Sequence, residues 1–373
     1  MFKNIINLLS VINFRFNLPK KNKILLYDEI HASILKETIK RDFNILYLRQ
    51  KQIYFWIYLK QIIFLDFTFK TYSKNFIKFI SPKVIITFND ARFEMYEFKK
   101  DFKKISFISV MNGLRFEKWF KDRKKLWPKN IKIFYGDYYF TLNEHYIANY
   151  QKLLKSDYRP LGHFRNNLVK VQNTKFKNEF LYLSQVHDSP KIKNGIDREN
   201  EKYWTRLHYF INKYLSKSGK KLHILLRRSK ESLRQKNEID FYKKIYNSNC
   251  VFHQSSHWKK KYQIMDKFEN IIFSFSTMGY EAISRKKKIA MFAPAKIKGS
   301  NYYFGWPGPY KKEYNFFSSK KLNYKEVERL LDNINNCTQS QWNKNYYSII
   351  KDQLNFDIKN RSLQNLISNL INN

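Results

Sequence analysis

The stretch NIIFSFSTMGYEAISRKKKIAMFAP, Asn270 to Pro294, decides how this chain is read. Its apolar run from Ile271 to Phe275 predicts a buried strand, and a helix opens after a short polar turn at Ser276 or Thr277. A second apolar run, Lys288 to Phe292, predicts the next strand. Ser276 and Thr277 are both good N-cap residues. Glu281 follows Thr277 at a spacing of four, too far for a capping box, and so belongs to the second helical turn. Gly279 predicts a close approach of another backbone or a ligand to the first turn. A strand feeding a helix N-terminus gathers unpaired N–H groups and the positive end of the helix dipole, which suits phosphate. Open α/β sheets bind ligands at the carboxyl ends of their strands, where this turn falls, and a carboxylate one turn further on can accept from a ribose. The same grammar also describes a plain βαβ crossover with Glu281 on a solvated face.

Working outward, the same alternation recurs. Before this stretch the pattern predicts strands at 23–27, 44–48, 84–88, 105–111 and 138–142. Helices are predicted over 35–41, 54–80 (one or two), 91–102 and 144–154. Residues 163–178 are polar without a clear period and read as a linker. Strands return at 180–183, 222–226 and 251–253, with helices over 203–215, 238–246 and 261–267. Asn301 to Tyr314 crowds Gly305, Pro307, Gly308 and Pro309 and reads as a loop. The expected class is α/β, with two Rossmann-like domains whose parallel sheets face a central cleft. The expected division is 1–165, 166–335 and a helical tail over 336–373. The first half carries no glycine-rich fingerprint, so a dinucleotide is not expected there.

At 373 residues with 43% hydrophobic and 18% aromatic content, the chain can fill two cores, which excludes wholesale disorder. The formal charge of +40 admits nucleic acid, anionic membrane and anionic substrates as partners. The excess is mostly Lys spread over every segment, Lys reads bases less well than Arg, and no nucleic-acid motif is present. Specific nucleic acid is therefore not expected, and an anionic membrane surface is the better use of the charge. The longest apolar run, Ile53 to Phe67, is interrupted by Lys60, Gln61 and Asp66 and is too short to span a bilayer. Residues 2–12 place their apolar side chains largely on one helical face, which fits either an interfacial helix or one packed on its own domain. Cys250 and Cys337 cannot form a disulfide framework and point to a reducing compartment. A cytoplasmic protein on the inner face of the membrane is expected.

STMGYEAISRKKKIAMF resembles the pattern (D/F)S-T-x-G-Y-E-(A/S)-x-x-R-x-K-x-(A/V) of bacterial surface carbohydrate biosynthesis proteins. ISVMNGLR (108–115), YFTLNEHYIANY (139–150), PLGHFRNN (160–167), YLSQ (182–185) and YYFGWP (302–307) are similar to segments of the same family, in the same order. The resemblance implies a GT-B fold and a metal-independent glycosyltransferase of surface polysaccharide or lipopolysaccharide. It would use a nucleotide-sugar donor, a glycan or glycolipid acceptor and no cofactor. A polyol-phosphate or sugar-phosphate transferase of the same architecture, or a non-catalytic nucleic-acid-binding protein, is the alternative. No HExxH, paired Cys/His set, EF-hand loop or DxD triplet competes as a metal site.

Glycosyl transfer needs cations or N–H groups on the leaving phosphate and usually a base for the acceptor hydroxyl. Arg227 and Arg228 leave a strand end and can hold phosphate bidentately, or they are a solvated pair. Ser184 and Ser274 would lie beside them, and Ser276, Thr277, Gly279 and Glu281 complete the expected donor set. On the acceptor side stand Asp28 and Asp90, as base or as helix N-cap, with Asn89 and the turn Asn112, Gly113, Leu114 and Arg115. His163 and Arg165 fall at the domain junction, and His187 is a further histidine. Gly305 and Trp306 offer an aromatic loop that could stack on a sugar or base, or pin itself to the core.

Overall fold

Strands buried on both faces read as unbroken apolar runs, and the runs in this chain become parallel strands. In a computed structural model, the described residues are 13–49, 52–64, 66, 68–115, 117–125, 132–185, 195–228, 232–247, 249–274, 276–292 and 311–372. The expected N-terminal helix, Phe275, His187, Gly305 and Trp306 lie outside them. The chain divides into two compact units, one of Met1–Asn112, Trp127–Phe164 and Asp357–Asn373, the other of Gly113–Leu126 and Arg165–Phe356.

The first unit carries β1 (Asn13–Arg15), β2 (Ile24–Tyr27), β3 (Asn44–Leu46), β4 (Gln52–Tyr54), β5 (Val84–Thr87), β6 (Ser106–Val110), β7 (Phe134–Thr141) and β8 (Leu154–Pro160). Six of them form one parallel sheet in the order β3-β2-β5-β6-β7-β8, while β1 pairs with β4. The order reverses between β2 and β5, which puts this sheet's switch point at Asp28 and Asn89. The stretch expected as a helix over 144–154 is helical only from Glu144 to Tyr150, and it is followed by the unexpected β8. It is an edge strand of mixed burial and polar sequence (LKSDYRP), so it has no apolar run to announce it. The stretch 54–80, read as one helix or two, is two, Phe55–Phe64 and Phe69–Ile80. The final helix, Arg361–Asn372, buries Leu363, Leu366, Ile367 and Ile371 and groups with this unit.

The second unit carries β9 (Phe176–Leu183), β10 (Leu222–Leu225), β11 (Cys250–His253), β12 (Phe268–Phe273), β13 (Lys288–Phe292) and β14 (Ser318–Ser319). They form a parallel sheet in the order β11-β10-β9-β12-β13-β14, the doubly wound order with its reversal between β9 and β12. Ser184 follows β9, Arg227 and Arg228 follow β10, and Ser274 follows β12, so all four stand at or beside this switch point.

The polar stretch read as a linker is tied down by a buried ion pair. Arg285 and Asp266 have fully buried side chains, joined from Nε to Oδ1 at 2.7 Å and from Nη2 to Oδ2. The remaining guanidinium protons reach Asn166 Oδ1 (3.0 Å), the Val169 carbonyl (3.1 Å) and the Lys170 carbonyl (3.4 Å). Gln172 N–H donates to Asp266 Oδ2 at 3.0 Å. Lys287, also buried, donates to the Asp266 carbonyl and to Thr174 Oγ1. Segment 166–174 thus lacks a period because its contacts are polar and long-range.

Two outcomes follow for this anchor. Removing one partner of a buried pair strands the other, so Arg285→Met should cost about 3–5 kcal/mol in urea unfolding. Burial, opposed by Asp266 and helped by Arg285, pushes the Lys287 pKa down to about 8 from an ordinary 10.5. Between those values the unfolded chain holds a proton that the folded chain releases, so folding stability rises with pH across the window. The difference in unfolding free energy between wild type and Lys287→Met should therefore grow in favour of wild type from pH 8 to 10.5. A flat difference would contradict the depressed pKa.

Candidate functional site

The second sheet's switch point is organised by Glu238, on the helix Leu233–Tyr246. Ser232 caps that helix, its side chain accepting from Gln235 N–H at 3.1 Å. Glu238 is fully buried and accepts from the Arg227 N–H (2.9 Å), the Arg228 N–H (3.1 Å) and the Ser184 hydroxyl. Tyr242, one turn on, donates its phenol to Ser184 Oγ at 2.8 Å. The Ser184 hydroxyl is thereby spent inside the protein, and Glu238 fixes the backbone from which both arginines project. Sequence reading passed over Glu238, because a carboxylate within a polar helical stretch carries no mark of burial. Its only signal is the i, i+4 spacing to Tyr242.

Around this backbone a cationic cluster gathers. Lys261, on the helix Trp258–Asp266, donates to the Arg227 carbonyl at 2.7 Å. Burial is the largest cause that lowers its pKa; Glu238 opposes it, while Arg227, Arg165 and Arg228 push the same way. Arg165, expected at a domain junction, thus acts on Lys261 through its charge. Arg228 Nε is buried and meets no acceptor among the described residues. Lys261 was not singled out in the sequence, since nothing in KKKY separates it from Lys259 and Lys260.

The turn after β12 divides its residues between structure and surface. Ser276 takes the N-cap position of the helix Thr277–Ser284 in extended geometry (φ −91°, ψ 125°), and its side chain makes no capping bond. Ser274 is buried, with its hydroxyl against the phenols of Tyr182 and Tyr203. Gly279 was expected to admit another backbone or a ligand, and here a side chain makes the close approach. A Cβ on it would lie 2.2 Å from the Phe273 ring of β12, so that ring fills the space. Glu281 is buried, which corrects the solvated reading; its carboxylate helps to push the Tyr262 phenol's pKa up, burial being the larger cause.

Gly113, Leu114 and Arg115 belong to the second unit, where the expectation had put them on the acceptor side. Leu114 packs on that unit's core, and the Gly113 Cβ position lies 3.9 Å from Thr277 Oγ1. Arg115 Nη1 donates to the Leu114 carbonyl, and its guanidinium lies 4.9 Å from the Trp119 ring centre.

In the first unit, Asp28 has a left-handed backbone (φ 80°) and a buried side chain, and it is not an N-cap. It accepts from Asn89 Nδ2 (2.8 Å), Arg49 Nε (3.2 Å) and the Ile30 N–H (3.2 Å). Burial alone would raise its pKa, but these bonds together hold the carboxyl below the usual range, so it is a weak proton acceptor. Asp90 is buried and also caps no helix: it accepts from Tyr150 OH at 2.6 Å, Tyr139 OH at 3.4 Å and Asn112 N–H at 3.4 Å. His163 lies 3.4 Å from the Asn112 carbonyl through Nε2 and stacks on Phe164. Among the described residues no group of three His, Cys, Asp or Glu side chains is arranged to hold a metal ion.

Two parallel six-stranded sheets, each with a switch point at its carboxyl edge, define a GT-B-like α/β protein of two Rossmann-like units. Residues 108–371 match the family described as "putative O-antigen biosynthesis protein", and the chain belongs to that family. Among solved structures it is similar to Staphylococcus aureus MnaA with UDP, at 11% identity and a TM-score of 0.53, over 94% of this chain and 97% of that one. It is similar to a "putative UDP-N-acetylglucosamine 2-epimerase" of Listeria monocytogenes, at 10% identity and a TM-score of 0.55, over 94% and 98%. A third is the UDP-GlcNAc 2-epimerase of Methanocaldococcus jannaschii, at 11% identity and a TM-score of 0.50, over 92% and 99%. No curated protein matches the sequence.

Glu238→Ala should leave two N–H groups and a hydroxyl without their acceptor, lowering stability by on the order of 3 kcal/mol in urea titration. Gly279→Ala should cost about 1–3 kcal/mol through the clash with Phe273, and Gly279→Ala with Phe273→Leu should recover part of that loss.

Proposed function

We propose that this chain is a nucleotide-sugar-dependent glycosyltransferase of O-antigen assembly, with the donor diphosphate at the carboxyl edge of the second sheet. One observation carries the reading: Lys261 donates to the Arg227 carbonyl within the electrostatic reach of Arg165, Arg227 and Arg228, and Arg228 Nε is buried without an acceptor among the described residues. A diphosphate supplies acceptor oxygens and negative charge together, and Arg holds it with paired donors. The Thr277–Ser284 helix adds its N-terminal dipole from the other side of the switch point. In the transfer, the bond from the sugar's anomeric carbon to the diphosphate oxygen breaks and one to an acceptor hydroxyl forms. The hydroxyl proton passes to a base, and the cations stabilise the departing diphosphate. Family membership supports the pathway, and membership of a glycan pathway favours a glycan or glycolipid acceptor.

A second reading shares the substrate class. The UDP-GlcNAc 2-epimerases cover nearly all of both chains in fold comparison, which favours an epimerase acting on the nucleotide-sugar itself.

A thermal-shift screen against UDP, GDP, CDP, dTDP and CMP tests the donor site. A nucleotide at a hundred times its Kd should add about 2.7 kcal/mol, roughly 3 °C in Tm. Arg228→Ala should weaken that nucleotide about tenfold or more. No response to any nucleotide would sink both readings. Incubation with UDP-GlcNAc then separates them: a new epimer without acceptor means epimerase, and free UDP only with a glycan acceptor means transferase.

A further inference from the structure

The first unit holds a groove of about 440 Å³ that the proposed chemistry does not use. It is lined by Lys70 and Lys74 of the helix Phe69–Ile80, by Lys99, Lys100 and Lys103 with Glu97 and Asp101, and by Tyr96, Ile133, Phe134 and Tyr135. Phe134 and Tyr135 open β7, so the groove lies at the amino end of that strand, away from the switch point at Asp28 and Asn89.

The charges in the groove are unequal: five lysines stand against two carboxylates. Lys70 pairs with Glu97, Lys74 with Asp101 at 2.7 Å, and Lys99 with Asp137 at 2.7 Å. Lys100 and Lys103 have no acidic partner among the described residues and face solvent. The floor is apolar: Phe134 is buried, with its ring centre 6.4 Å from that of Tyr96. At the rim Tyr135 is 51% exposed, with the Lys155 ammonium 6.0 Å from its ring centre.

We propose that this groove is a docking surface for anionic phospholipid headgroups at a bilayer. Lysines with excess charge around an exposed aromatic match the two components of an interface, headgroup phosphate and the upper acyl boundary. A single soluble phosphate is held better by fixed donors such as backbone N–H groups and Arg forks, and this groove offers only long ammonium stems. Several separate phosphates in a plane suit such stems. No helix among the described residues is long and apolar enough to cross a membrane, so attachment of this kind is lateral.

Flotation of the full chain with phosphatidylglycerol vesicles and with phosphatidylcholine vesicles tests this. Wild type should float with the first and not the second. Lys100→Glu with Lys103→Glu should lower the partition coefficient about tenfold or more, since each surface lysine is worth near a factor of five. Lys325→Glu with Lys351→Glu makes the same charge change at exposed positions of the second unit and should leave the partition within about twofold. Equal losses from the two pairs would assign the binding to the overall +40 charge and overturn the proposal, as would no flotation of wild type. Release by glycerol phosphate would make the groove a small-anion site and overturn it too. The Tm of the Lys100/Lys103 variant, and its shift with nucleotide, should match wild type, which separates this outcome from failure of the donor site.

Discussion

The Arg285–Asp266 pair is the constraint on which the second unit depends. Two charges without solvent must satisfy each other and every remaining lone pair and proton, or the burial cost is not recovered. Here the partners are distributed along the chain: the end of the Trp258–Asp266 helix, the residue after the Thr277–Ser284 helix and the carbonyls of 166–170. Satisfying one guanidinium therefore sets the position of three segments at once. One of these segments begins beside Arg165, and another carries Lys261. Arg165 and Lys261 thus lie next to segments that the buried Arg285 holds, while Arg227 and Arg228 are held by Glu238.

This arrangement separates two kinds of positive charge in a chain with 71 Lys and Arg residues. Arg285 and Lys287 are interior, each bonded to carbonyls or a carboxylate. Lys261 has its pKa lowered chiefly by burial, with Arg227, Arg165 and Arg228 pushing the same way and Glu238 opposing them. A site built this way is relieved when an anion arrives. Glu238 serves the first purpose through its bonds and the second through its charge. It holds the backbone of both arginines while leaving their guanidinium groups to the switch point.

Much of the fold was legible because parallel strands leave unbroken apolar runs, as at 24–27, 84–87, 180–183 and 271–273. The family pattern was legible too, though its residues divide by role only in three dimensions. Arg285, Lys287 and Gly279 recur in that pattern for packing reasons, whereas Ser276 and Thr277 stand at a helix N-terminus facing the switch point. β8 was missed because an edge strand of polar residues carries no such run. Glu238 and Lys261 were missed because their importance lies in partners 54 and 34 positions away, at Ser184 and Arg227. The assignment of Gly113 to the second unit was likewise invisible, since a turn dipeptide states that the chain reverses and not what it packs on.

The division of the chain into units has a consequence for the order of its synthesis. The first unit's strands are complete by Pro160, yet the Arg361–Asn372 helix that groups with them follows about 200 residues later in the chain. At the usual ~5–20 residues per second, roughly 10–40 s of elongation separate them, while residues 165–356 of the second unit emerge. During that interval, the apolar surface due to receive Leu363, Leu366, Ile367 and Ile371 is open to water. A nascent chain of this design carries an exposed patch until that helix emerges, a natural target for chaperone capture at the ribosome.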